Sequence, residues 1–154
     1  MDVYAKMKDM GLEIGDATPA GGVYSPVRFF GEKMVYTSGT GGQMKDLPDK
    51  VGRIGGELTL EDGSEMARRC MLNILSNLHY TLGDLNKIKS FVKMLVFVNS
   101  TNDFQRQPEV ANGASLLLKE LFGEEIGLPA RSAIGVNVLP GNIPVEIEML
   151  LELK

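Results

Sequence analysis

From Val145 to Leu153 every second residue is apolar: Val145, Ile147, Met149, Leu151 and Leu153, with Glu146 and Glu148 between the first three. Side chains alternate across a strand, so this segment has one face for a core and another that carries charge. Few patterns restrict a fold more, because a slip of one residue would turn both glutamates inward. Upstream, Ile134, Val136 and Val138 alternate in the same way and turn Arg131, Ala133 and Gly135 to the opposite side. Leu139-Pro140-Gly141-Asn142 between them has turn chemistry, since Pro fixes φ and Gly tolerates φ > 0. Paired as a hairpin with their apolar sets together, the two strands would place Arg131 and Glu146 on a common face.

The rest of the chain supplies the partners such strands need. Residues 2–10 suit a short helix, with Tyr4, Met7 and Met10 on one face and Gly11 as its stop. Residues 14–26 are rich in Gly, Pro, Ala and Ser, and read as an irregular arm containing Tyr24. Val27–Phe30 and Met34–Thr37 flank a Gly-Glu-Lys turn and form a hairpin by pattern. Ser38-Gly39-Thr40-Gly41-Gly42 follows directly. It is either a turn with no ligand of its own or a cradle of backbone N–H groups for an anion, and it lacks the P-loop Lys-Ser/Thr.

Residues 43–58 are polar and Gly-rich, a loop. Thr59 then caps a helix with Asp62 in its first turn. Ala67, Cys70, Met71, Ile74, Leu75, Leu78 and Leu82 form its apolar stripe, and Gly83 stops it. Ile88–Val98 is dense in Val, Phe and Met and suits a central strand. Pro108 opens a second helix that runs to Phe122 and stops at Gly123, with Val110, Leu117, Leu118 and Leu121 facing inward. The expected order is β-β-α-β-α-β-β, an α+β fold with both helices on one face of a mixed sheet. Arg131, Gly135, Glu146, Glu148 and Leu150 are expected on the other face, whose mixed character calls for another subunit.

At 154 residues the chain is expected to be one domain, 1–154, with residues 1–22 as an N-terminal extension. The lone Cys70 excludes an internal disulfide, and the absence of a signal pattern at the start suits a reducing cytoplasm. One histidine, His79, and one cysteine are too few for a zinc or haem cluster. Both fit a plain structural role in their helix. No apolar run would span a bilayer. A net charge of −4 argues against a dedicated nucleic-acid binder, whose affinity rests on neutralising phosphates.

Pro-Ala-Arg-Ser at 129–132, Leu-Pro at 139–140 and Val-Glu-Ile-Glu at 145–148 together resemble the closing signature of the YjgF/YER057c/UK114 (Rid) family. Tyr24, Thr37-Ser38-Gly39, the Val-Lys-x-x-Val-Phe-Val run at 92–98 and Asn112 agree with it, so the resemblance covers most of the chain from about Val23 onward. It implies a chorismate-mutase-like fold assembled as a homotrimer, with sites in the clefts between subunits. It also implies hydrolytic deamination of enamine and imine acids such as 2-aminoacrylate to 2-keto acids and ammonia, without a metal or other cofactor.

By the same resemblance Arg131 grips the substrate carboxylate and Glu146 positions the attacking water. Ala133 meets the imine end through its backbone, Ser38 and Gly39 line the cleft, Tyr24 closes it from a neighbouring subunit and Asn112 supports it. Family members usually have Cys where this chain has Ala133, and this chain resembles the longer members at its N-terminus, in 43–58 and between Asn112 and Arg131. Two other readings stand beside this one: a non-catalytic binder of small carboxylates, and the ribonuclease or translation-inhibitor activity attached to some members by name. On residue pattern alone, Arg131 also suits an ion pair with Glu146 or Glu148.

Overall fold

In the computed structural model, which describes residues 2–154, the 145–153 alternation becomes an interior strand of a six-stranded sheet. The elements in order are α1 (Val3–Asp9), β1 (Val27–Phe30), β2 (Met34–Thr37), β3 (Thr40–Gly41), α2 (Leu60–Leu82), β4 (Ile88–Asn99), α3 (Gln107–Gly127), β5 (Ala130–Val136) and β6 (Val145–Leu153). The sheet runs β1-β2-β6-β4-β5, and β3 pairs with β6 beside β2. All pairings are antiparallel except β4 with β5, which is parallel and joined through α3. This is the expected mixed α+β fold, with α2 and α3 packed on one face.

Both helices begin and bury as their sequences dictate. Thr59 and Asp62 form a reciprocal capping box on α2, and Gly83 ends the helix in the left-handed region at φ 75. Met66, Met71, Ile74, Leu75 and Leu78 of α2, and Leu117, Leu118 and Leu121 of α3, are fully buried against Met94, Val96 and Val98 of β4 and Val145, Ile147, Met149 and Leu151 of β6. α3 breaks at Gly123 (φ 80) where its end was expected, then winds on to Gly127, with Lys119 paired to Glu124 across the break. The two helices touch through backbone at Gly113: a Cβ there would lie 1.9 Å from Ser64 O. Among the described residues no helix is long and apolar enough to cross a membrane.

One expectation is overturned. β5 and β6 are not a hairpin; β4 lies between them, partnered with both. The register puts Arg131 beside Met94 and Met149, on the helix-covered face, while Glu146 sits beside Phe97 and Ile134 on the open face. The alternation within each strand was as read, but β5 turns Arg131, Ala133 and Gly135 toward the helices and buries none of its residues. Its apolar residue Ile134 faces outward and is 44 % exposed. A Cβ on Gly135 would lie 3.0 Å from both Gln107 Nε2 and Ser100 Oγ, so small residues, Ala133 and Gly135, occupy that side.

Candidate functional site

Two clusters emerge from the expected residues, on opposite faces. The first gathers around Glu146. Its register partner on β3 is Gly41, and the neighbouring Gly39 leaves room for its carboxylate: a Cβ on Gly39 would fall 2.2 Å from Glu146 Oε1. The loop before β3 is held from behind, since Ser38 N donates to Pro26 O (2.9 Å) and Ser38 Oγ to Ser25 O (2.7 Å). Tyr24, half exposed, folds back so that its Oη accepts from Gly21 N (3.0 Å). Tyr24, Ser38 and Gly39 line one cavity of about 190 Å³ under the N-terminal arm. Burial raises the Glu146 pKa above the ordinary carboxylate value, and the nearby Glu148 carboxylate adds to the shift. A carboxyl so placed is suited to exchanging protons with bound water. Glu148 itself accepts from Tyr36 Oη.

The second cluster gathers around Arg131. Its Nη1 donates to Asn112 Oδ1 and to Ser115 Oγ, both at 2.9 Å, and its Nη2 to Pro108 O at 3.1 Å. Three of its five N–H donors are therefore held by α3, and Nε–H and one Nη2–H remain. No carboxylate lies within ion-pair distance of it among the described residues, so the ion pair with Glu146 or Glu148 is not formed. Desolvation lowers the Arg131 pKa, and the guanidinium keeps its charge. Ala133 lies two residues on along β5, facing the same way. Sequence reading named Asn112 but missed Ser115; the usable signal was its spacing of three, one helical turn, on the same face of α3.

The two clusters do not meet within one chain. Arg131 and Glu146 lie two strands apart and three register positions apart, about 14 Å between Cα atoms at ordinary strand spacings, and point to opposite sides. A single small acid cannot touch both in one protomer. The bland readings hold for the remaining candidates. His79 Nδ1 bonds Tyr4 Oη (2.9 Å), and Cys70 is fully buried, donates to Val145 O, and has its thiol pKa pushed up by that burial. Among the described residues no three His, Cys, Asp or Glu side chains are placed to hold a metal.

Residues 15–152 match the family described as endoribonuclease L-PSP. Protein TCP17 of Trypanosoma cruzi is 47 % identical over 104 residues, which is 68 % of this chain and 65 % of TCP17, just under two thirds of that protein's length. The crystal structure of Atu1372 from Agrobacterium tumefaciens, of unknown function, superposes with TM-score 0.89 at 31 % identity, covering 99 % of this chain and 92 % of its own. A Shewanella oneidensis protein carried under the endoribonuclease name superposes with TM-score 0.93 at 27 % identity, covering 99 % and 100 % of the two chains.

Proposed function

This chain belongs to the endoribonuclease L-PSP (YjgF) family, and we propose that it hydrolyses small enamine or imine acids to 2-keto acids and ammonia at a site shared between protomers of a homotrimer. The observation that carries this reading is Arg131: a partly buried guanidinium, braced by neutral oxygens, with no carboxylate among the described residues paired to it and two N–H donors remaining. Such a group is suited to receive a carboxylate from outside, because the fork offers two donors at a fixed spacing. Asn112 and Ser115 hold it in place. The opposite placement of Glu146 favours a site in which Arg131, Asn112 and Ala133 come from one protomer, and Glu146, Ser38, Gly39 and Tyr24 from its neighbour.

In this site an enamine first takes a proton from solvent at carbon to give the protonated imine. Glu146 then accepts a proton from water as its oxygen adds to the imine carbon, forming a carbinolamine. Glu146 returns that proton to nitrogen, and the C–N bond breaks with loss of ammonia as the C=O forms. The hydroxyl proton passes to the Glu146 carboxylate and on to solvent, replacing the one first taken up. No strong nucleophile is required, only orientation and an acid–base group. The buried Cys70 thiol suits a reducing, cytoplasmic setting.

A second reading is a binder of small carboxylates without turnover. It is favoured by Escherichia coli TdcF, which has this fold at TM-score 0.62 and 23 % identity and was solved with bound serine. The ribonuclease reading draws on the family's name alone and is opposed by the net charge of −4. The decisive experiment follows keto-acid release from 2-aminoacrylate generated in situ. Wild type should accelerate it, and Arg131→Ala should lower kcat/KM by at least about a hundredfold, the loss expected for a buried charged contact. Full activity in Arg131→Ala would sink the deaminase reading; calorimetric binding without turnover would establish the binder instead.

A further inference from the structure

Three polar side chains that α2 buries, Arg69, Asn73 and Asn77, stand four residues apart on one face. Each fastens a segment packed beside α2. Arg69 Nη1 donates to Pro48 O (3.1 Å), and Asn73 Nδ2 donates to Gly41 O (2.8 Å) and Gln43 O (2.9 Å). Asn77 Oδ1 accepts from Thr18 N (2.7 Å). This stripe thus ties down the 43–50 loop and the 14–22 arm.

Asn77 is 5 % exposed, and its orientation is fixed by chemistry. Thr18 N–H is a donor, so the amide oxygen must face it and the amide nitrogen must point away. No described residue accepts from that Nδ2, which is not sealed off but open to the 190 Å³ cavity that Asn77 borders with Tyr24, Ser38 and Gly39. No ionic side chain lines this cavity. Gly39 is common to the cavity wall and to the contact with Glu146.

We propose that this cavity is a side-chain subsite of the same active site, taking a neutral substituent with a hydrogen-bond acceptor oxygen, and that Asn77 Nδ2 is the donor that selects it. The proposal rests on the imine-acid reading for the location of the reacting end, beside Glu146. An alkyl substituent would displace the water that reaches this amide donor and leave it unpaired, and a carboxylate would bring a charge into a cavity without a cation. A ketone or amide oxygen would satisfy the donor and carry no charge.

The test measures binding by calorimetry for three keto acids of matched length: 2-oxohexanoate, its 5-oxo derivative and 2-oxoglutarate. The intact protein should bind the 5-oxo compound about tenfold more tightly than either of the others, the factor expected for one hydrogen bond that rescues a buried donor. Asn77→Asp keeps an oxygen for Thr18 N–H but removes the donor, and should bring that ratio close to one. Equal wild-type affinities for the 5-oxo and alkyl compounds would overturn the subsite, and this comparison stands even if the variant fails to fold. Turnover of 2-aminoacrylate is scored separately. Turnover with no preference sinks the subsite alone, the preference without turnover sinks the deaminase alone, and absence of both turnover and binding sinks the two together.

Discussion

Glu146 is where the fold and the proposed chemistry pull against each other. Its folded pKa is raised by burial, so its contribution to stability is fully present below the unfolded glutamate pKa and is lost as pH rises through the folded value. Glu146→Gln should therefore raise Tm at neutral pH while removing turnover, a pairing seen by calorimetry and keto-acid release on one sample. A wild-type protein acting through this base should lose activity on acidification with an inflection above 4.5, the ordinary glutamate value. Gly39→Ala is a related probe. The added methyl would displace the end of a flexible carboxylate rather than backbone, so thermal melting should change little while turnover falls. Of the proposed site, Arg131, Glu146, Tyr24, Ser38, Gly39, Asn112 and Ala133 were named in the sequence through the family resemblance, and the structure brings Arg131 to Asn112 and Glu146 to Gly39. Ser115 was missed although it stands one helical turn from Asn112, and Asn77 was missed because a lone Asn on a helix gives no signal until its neighbour across space is known.

At the scale of elements, periodicity and caps gave the helices and strands, and local chemistry holds them. Asp62 anchors the N-terminus of α2 with its carboxyl lowered to about 2 by the Lys50 ammonium and by Thr59. Asp62→Ala should cost about 1 kcal/mol at pH 7 by urea unfolding. Because the folded pKa is depressed, that cost should fade as pH drops from 3.8 toward 2. Gly113→Ala should destabilise by roughly 1–3 kcal/mol, as the new methyl meets the backbone of α2 rather than a side chain. β5 shows what alternation cannot reveal. Its period was readable, but which side faces the helices is set by its pairing with β4, and the side so turned carries Arg131, Ala133 and Gly135 rather than the apolar Ile134. The pairing order was hidden for a similar reason. Residues 137–144 look like a hairpin turn, yet they cross the end of β4, where Asn99 N donates to Pro144 O (2.8 Å) and Asn99 Nδ2 to Asn142 Oδ1 (3.0 Å).

For the whole molecule, the uncovered face of the sheet matters most. Phe30, Tyr36, Leu95 and Leu150 lie on it with Lys93 and Glu148, and Lys93 Nζ donates to Ser132 Oγ (2.7 Å). A face that mixes aromatic rings with paired polar groups is suited to a second copy of the chain. The proposed homotrimer should sediment as three chains of 16.8 kDa, and a monomer would remove the means of joining Arg131 to Glu146. The most direct test therefore mixes two inactive variants. Arg131→Ala and Glu146→Gln protomers, co-assembled in equal amounts, should recover about a quarter of wild-type turnover of 2-aminoacrylate, the fraction of interfaces that bring an intact Arg131 to an intact Glu146. A mixture as inactive as either variant alone, from assemblies shown to contain both chains, would contradict a site shared between protomers.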